Sequence, residues 1–408
     1  MYGLVLQGGG TKGSYHIGVW KALRQLGIEI GAVTGTSIGA LNGAFIAQNM
    51  FDEALGVWEN IKVNDVIDTD EDVYLDFMNF DINLNKTEKY FEYFKKVVKD
   101  KGLDVAPLRN LIETHLDEDT LRSSGIDFGL VTVSLTDMKP MELFVEDIPK
   151  GKLTDYLLAS AFLPGFKPQE LDGKRFVDGG VYDNLPIHLI TQKGYKDIIA
   201  VEMGSVGFVR RVKDSDLNII KIQPSGDIGK MLQFDQYTAK RNIDMGYLDT
   251  MKVFGRLKGE KYYFKTLPEE DVFLKAFQSL EDDNIMKMAA DLGISEGNPK
   301  RILFEKLIPE LAAMFDMDIK AGYREITLKM VEYLASVLEI ERLKVYDYED
   351  FEQKILEVVK DRSTTLTFFK GMPAFLKKTS LIKFTMKDDI LIHWAQIITD
   401  SYLERVRD

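Results

Sequence analysis

The chain has 408 residues, 45% of them hydrophobic and 29% charged, with a net charge of −13. That length favours two domains and that composition is ordinary for a globular protein, while the acidic balance argues against general nucleic-acid binding and against broad attraction to anionic membranes. There are no cysteines, which excludes disulfides, thiol catalysis and cysteine-based metal sites.

The first predicted element is a buried strand, Leu4–Leu6, which runs straight into Gly8-Gly9-Gly10-Thr11-Lys12-Gly13. A helix follows, with Tyr15, Val19, Ala22 and Leu26 on one face. Consecutive glycines entering a helix leave several backbone N–H groups without helical partners, and the helix dipole there favours negative charge. The anion is either a cofactor phosphate or the oxyanion of a tetrahedral acyl-transfer intermediate. No basic and apolar leader precedes the first strand, so no signal peptide is expected. No run of 18 apolar residues predicts a transmembrane helix. These features point to a cytoplasmic protein.

The second predicted strand, Ala32–Thr34, leads into Gly35-Thr36-Ser37-Ile38-Gly39, a G-x-S-x-G segment. A serine on a sharp strand-to-helix turn presents its hydroxyl to substrate, and the crowding of that turn calls for glycines beside it. Ala40-Leu41-Asn42-Gly43-Ala44 is small enough for a helix to pack close against the strand. The first loop also matches G-x-G-x-x-G at Gly8, Gly10 and Gly13, but a dinucleotide site expects an acid at the end of the second strand. Here that strand ends in Gly35-Thr36-Ser37, and the nearest acid, Glu29, precedes it. An oxyanion loop beside a nucleophile elbow accounts for both glycine clusters together.

Residues 59–120 are rich in Asp, Asn, Lys and aromatics, including Tyr74, Phe77, Phe80, Tyr90, Phe91, Tyr93 and Phe94. They read either as a lid or acyl-pocket wall, or as helices capping a sheet edge. Strands are then predicted at Phe128–Leu135 and Glu142–Val145, joined as a hairpin through Thr136-Asp137-Met138-Lys139-Pro140. Further strands are predicted at Arg175–Val177, Ile198–Glu202 and Ile219–Gln223. Alternating strands and helices imply an α/β fold with a mostly parallel central sheet covered on both faces.

A serine nucleophile needs a base, and the four histidines, His16, His115, His188 and His393, have no evident catalytic setting. A carboxylate can serve if it reaches the hydroxyl. The best candidate is Asp178, which ends the strand Phe176-Val177 and is followed by Gly179-Gly180. From residue 266 onward helical periods dominate, with Ile302, Leu303, Leu307, Leu311 and Met314 near one face. The expected organisation is an acyl hydrolase domain over 1–265 and an all-helical domain of unassigned role over 266–408.

Taken in order, Gly8 to Gly13, Gly35 to Gly39 and Asp178-Gly179-Gly180 resemble the patatin-like phospholipase family. Ala159-Ser160-Ala161 with Pro164 and Phe166, and Asn184-Leu185-Pro186, reinforce the resemblance. It covers about residues 1–265, in the manner of a bacterial-type patatin domain with a helical extension. It implies a Ser-Asp dyad with Ser37 as nucleophile and Asp178 as general base, and oxyanion N–H groups from Gly9 and Gly10. Gly8, Thr11, Lys12, Gly13, Gly35, Gly39, Gly179 and Gly180 would support them. Lys12 stands where many relatives carry Arg, a point charge in place of a planar fork. Gln7 stands where some carry an acid.

The expected function is a phospholipase A-type lipid acyl hydrolase acting on phospholipid or another acyl ester, with no metal or cofactor. The alternatives are an esterase or thioesterase for soluble acyl esters, or a non-catalytic lipid-binding regulator. Residues 360–387 are locally basic: seven cations, from Lys360 to Lys387, face one acid, Asp361, for a net +6, with Phe368, Phe369, Phe375 and Phe384 interleaved. Such a segment is expected either to touch the inner membrane face peripherally or to form a core helix with solvated lysines.

Overall fold

The computed structural model describes residues 1–68, 103–163, 166, 170–212, 215–318, 320–362, 390–394 and 397–398. The chain divides into two compact units, Met1–Val253 and Phe254–Asp408.

The first unit is built on one sheet. Its strands are β1 (Tyr2–Leu6), β2 (Ile30–Thr36), β3 (Asp127–Ser134), β4 (Lys139–Phe144), β5 (Glu170–Leu171), β6 (Lys174–Asp178), β7 (Asp197–Val201) and β8 (Asn218–Ile222). The order is β5-β6-β3-β2-β1-β7-β8, with β4 also paired to β3. β3, β2, β1, β7 and β8 run parallel. β4 returns antiparallel to β3 as the predicted hairpin, and β6 also pairs antiparallel with β3. The expected mixed α/β architecture with a mostly parallel sheet is therefore the one observed. β5 was not expected, because two residues carry too little periodicity to be read as a strand.

Helices cover both faces, because successive strand residues point to opposite sides. Ala32 packs with Val5, Ile187 and Ile190 on one side, where the helix Ile187–Thr191 lies. Its neighbour Val33 faces Gly43 on the other side. There α1 (Ser14–Gln25), α2 (Ile38–Ala47) and α3 (Phe51–Asn60) are stacked, and the helix Gln236–Val253 runs along α1.

The second unit is helical, with a parallel pair of two-residue strands, β9 (Tyr263–Phe264) and β10 (Val345–Tyr346). Its boundary falls before the expected 265/266. The reason is that Tyr262 and Phe264 are buried in this unit's own core, with Phe273, Phe277, Leu334 and Phe351. The basic residues of 363–387, and the aromatics between 69 and 102, lie outside the described residues.

Candidate active site

The glycine loop and the elbow leave the sheet side by side because β1 and β2 are parallel neighbours in register, Leu6 opposite Gly35. At the elbow Ser37 adopts φ 56° and ψ −127°, a conformation costly for any residue with a Cβ. The motif's glycines are dictated by contact. A Cβ at Gly35 would stand 2.3 Å from the Gly39 backbone, and one at Gly39 would stand 2.2 Å from the Leu6 carbonyl oxygen. Ser160 pins the elbow: its hydroxyl accepts from the Ser37 N–H at 3.0 Å and donates to the Val131 carbonyl at 2.7 Å. Sequence reading quoted Ser160 only as part of a motif and gave it no role. A small hydroxyl at the end of a buried helix is the trace it leaves in the sequence.

Asp178 reaches the same place from the other direction. β2 stops at Thr36, opposite Val131, and β6, running antiparallel, ends at Asp178, opposite Thr132. The two strands meet end to end along one edge of β3, and Ser37 and Asp178 lie at the junction. The Asp178 N–H donates to the Phe162 carbonyl at 2.8 Å. Asp178 Oδ1 accepts from the Gly180 N–H at 2.7 Å, so Gly179-Gly180 fold back on the carboxylate. Oδ2 is buried without a well-formed hydrogen bond. Burial pushes the carboxyl up to about 6, against the opposing pull of the Ser37 hydroxyl and the Gly180 N–H. The Ser37 hydroxyl thus acts on the Asp178 carboxyl electrostatically without a well-formed hydrogen bond to its Oδ2.

The glycine loop is fixed by its flanks. The Gly8 N–H donates to Asn184 O at 3.1 Å, the Thr11 N–H to Met231 O at 2.7 Å, and the Lys12 N–H to Gly9 O at 3.3 Å. The Thr11 hydroxyl donates to Lys230 O at 2.9 Å. Among the described residues the N–H groups of Gly9 and Gly10 have no such backbone acceptor. Gly10 has φ 58°, and a Cβ there would stand 2.0 Å from the Met231 carbonyl oxygen. Gly13 accepts from Asn42 Nδ2 at 2.9 Å, tying the loop to α2. Lys12 is half-buried; burial lowers its pKa and Asp227 opposes that. Gln7 is buried, and its side-chain oxygen accepts from the Met203 N–H.

A cavity of about 100 Å³ opens at Gly10 and Ser37. Ile38, Leu41, Phe45 and Gln48 of one α2 stripe form one wall, and Leu108 and Ile112 of the helix Ala106–His115 form another. The described residues of the 59–120 region therefore supply a pocket wall. From Ser37 to Gln48 the helix rises roughly 16 Å at 1.5 Å per residue. The polar residues along it are turned to other work. Asn42 Oδ1 accepts from Trp58 Nε1 at 3.0 Å, and Gln48 Oε1 accepts from the Asp117 N–H at 2.7 Å.

Of the four histidines only His115 lines the cavity. His16 is fully buried, and desolvation lowers its pKa to about 3; its Nδ1 contacts Asn42 Nδ2. His188 is exposed, and His393 pairs with Asp291 at 2.6 Å. His115 lines the cavity, with its ring 5.6 Å from that of Phe45. One buried acid near the site escaped sequence reading. Asp183 is pushed up to about 6 by burial, held by the N–H groups of Arg210 and Leu185. Among the described residues no group of three His, Asp or Glu side chains could hold a metal ion.

A sequence model of the patatin-like phospholipase family matches residues 4–190. A patatin-like phospholipase domain-containing protein of Caenorhabditis elegans is 30% identical over 207 residues, covering 50% of this chain and 14% of that protein. The lysophospholipase NTE1 of Mycosarcoma maydis is 30% identical over 205 residues, covering 50% of this chain and 10% of its own length. Patatin-like phospholipase domain-containing protein 6 of Mus musculus is 28% identical over 205 residues, covering 50% and 13%. This chain thus corresponds to a small part of each of these relatives. The crystal structure of VipD from Legionella pneumophila aligns over 98% of this chain and 91% of that one, at 15% identity and a TM-score of 0.39, a likeness too loose to bear on function. Over residues 4–190, just under half of its length, this chain is similar to the patatin-like phospholipase family.

Proposed function

We propose that the chain is a phospholipase A-type lipid acyl hydrolase working through Ser37 and Asp178. The observation that carries this reading is the apolar cavity that runs along α2 and ends at Ser37. An acyl chain laid in it brings its ester carbonyl to the hydroxyl, with the N–H groups of Gly9 and Gly10 nearby. Asp178 accepts the Ser37 proton as Oγ attacks the carbonyl carbon. The oxyanion forms against the glycine N–H groups and the N-terminus of α2, where donors are already oriented; each such donor is worth about 3 kcal/mol in the transition state. Collapse expels the alcohol, which takes the proton from Asp178. Water then attacks the acyl-enzyme with Asp178 again as base, releasing the fatty acid and restoring Ser37.

The direct test is labelling with a fluorophosphonate, read by intact mass and peptide mapping, alongside hydrolysis of phospholipid and lysophospholipid panels. One adduct, on Ser37, is expected. A folded protein that hydrolyses none of these lipids and takes no label would instead be a lipid-binding regulator.

The pH profile supplies a second test. Asp178 accepts a proton only when ionised, and burial holds its pKa near 6. On a soluble ester, kcat/KM should therefore be low below pH 6, rise through it and level off above. Asp183 titrates in the same range, so the same limb should persist in Asp183→Asn. A rate independent of pH between 5 and 8 would exclude Asp178 as the base.

A further inference from the structure

We propose that Phe208 and Val209, together with Val181, form a docking surface that seats this domain on a phospholipid interface. Phe208 is 61%, Val181 44% and Val209 40% exposed, and among the described residues few other large apolar side chains are so placed. They belong together. The Phe208 N–H donates to Gly180 O at 2.8 Å, and its carbonyl accepts from the Asn184 N–H at 2.6 Å. Val212, farther along, packs against the buried cluster that includes Ile187 and Ile198. The loop's backbone is therefore pinned to the turn that follows Asp178, while the side chains at its tip stand in solvent.

Exposed apolar residues rimmed by polar ones mark interaction sites, and the charges here select the partner. Arg210 is spent: it pairs with Glu142 at 2.6 Å and lies over the Tyr182 ring at 4.8 Å. Arg211 is exposed and makes no ion pair among the described residues. An aromatic and an aliphatic side chain on a fixed base, with a free guanidinium beside them, match a headgroup layer: apolar groups below the phosphates and the cation level with them. The chain carries −13 overall, so a local cation matters for approach to anionic lipid. The inference rests on the lipid-ester reading, since a substrate drawn from a lipid aggregate must enter where the dyad faces that aggregate.

The test uses the full chain and vesicles of phosphatidylcholine, with and without phosphatidylglycerol. Phe208→Ser with Val209→Ser should weaken sedimentation with both vesicle types by roughly tenfold, leaving thermal unfolding and p-nitrophenyl butyrate hydrolysis unchanged. Arg211→Glu should weaken binding to the phosphatidylglycerol vesicles only. In Phe208→Trp the new indole should shift to the blue on vesicles and be quenched by brominated lipid; the native Trp20, Trp58 and Trp394 are all buried. Undiminished vesicle binding by the double variant, no vesicle binding by the native protein, or a dimer that the double variant loses would each overturn the proposal. Native protein that binds vesicles through this loop but hydrolyses no ester would overturn the hydrolase reading and leave the docking surface standing.

Discussion

Ser37→Ala is expected to reduce ester turnover by at least about 10⁴-fold, because the bond-forming oxygen is gone while the cavity and glycine loop remain. The protein should still fold. Ser37 is held at φ 56°, and alanine meets the same backbone penalty that serine already bears. Glycine escapes it. Ser37→Gly should be equally inactive yet about 1 kcal/mol more stable than Ser37→Ala, the relief of strain exceeding the entropy glycine adds to the unfolded chain. Steady-state rates and urea denaturation of both variants check this pair of expectations. Wild-type turnover in Ser37→Ala would displace the nucleophile assignment, and equal stabilities would show that the elbow stores no strain.

Asp178→Asn should lower turnover by about 10³-fold or more, since an amide of nearly the same shape accepts no proton. Its effect on stability should run the opposite way. The Asp178 carboxyl lies near 6 in the folded protein against an ordinary value of 3.8. The folded state therefore holds the proton more tightly than the unfolded chain does. The acid's contribution is most favourable below pH 3.8 and is lost as pH climbs through 6, after which burying the ionised form costs roughly 3 kcal/mol. Asparagine carries no such charge and can keep the bond from the Gly180 N–H. The variant should then be more stable than the native protein at pH 8, with the gap narrowing toward pH 4. Denaturation at both pH values measures it. A destabilised Asp178→Asn at pH 8 would mean that the carboxylate is stabilised by contacts stronger than those described.

The elements that sequence made legible are those with a local cause. β1, β2, β3, β7 and β8 are short apolar runs bounded by turns. The hairpin of β3 and β4 is announced by its connecting residues. The glycines at 35 and 39 follow from crowding within a single turn. Elements without a local cause were missed: β5, β9 and β10 are two residues each. Asp183 looks like any turn acid until burial raises its pKa. Ser160 became meaningful only when its hydroxyl was found between the Ser37 N–H and Val131. The cavity, too, needed three dimensions, because its walls come from α2 and from a helix more than sixty residues later in the chain.

Sequence alone determined that a strained serine turn and a donor-rich glycine loop would sit at the ends of strands, since strand, glycine and helix signals all act within a few residues. It named Asp178 as the best remaining base without being able to bring it to Ser37. That was decided by the sheet. β2 ends opposite Val131 and leaves the edge of β3 open, and β6 enters antiparallel to fill the edge from Thr132 onward. Pairing along β3 satisfies backbone groups that would otherwise be buried unbonded, and in doing so it brings two distant strand ends face to face.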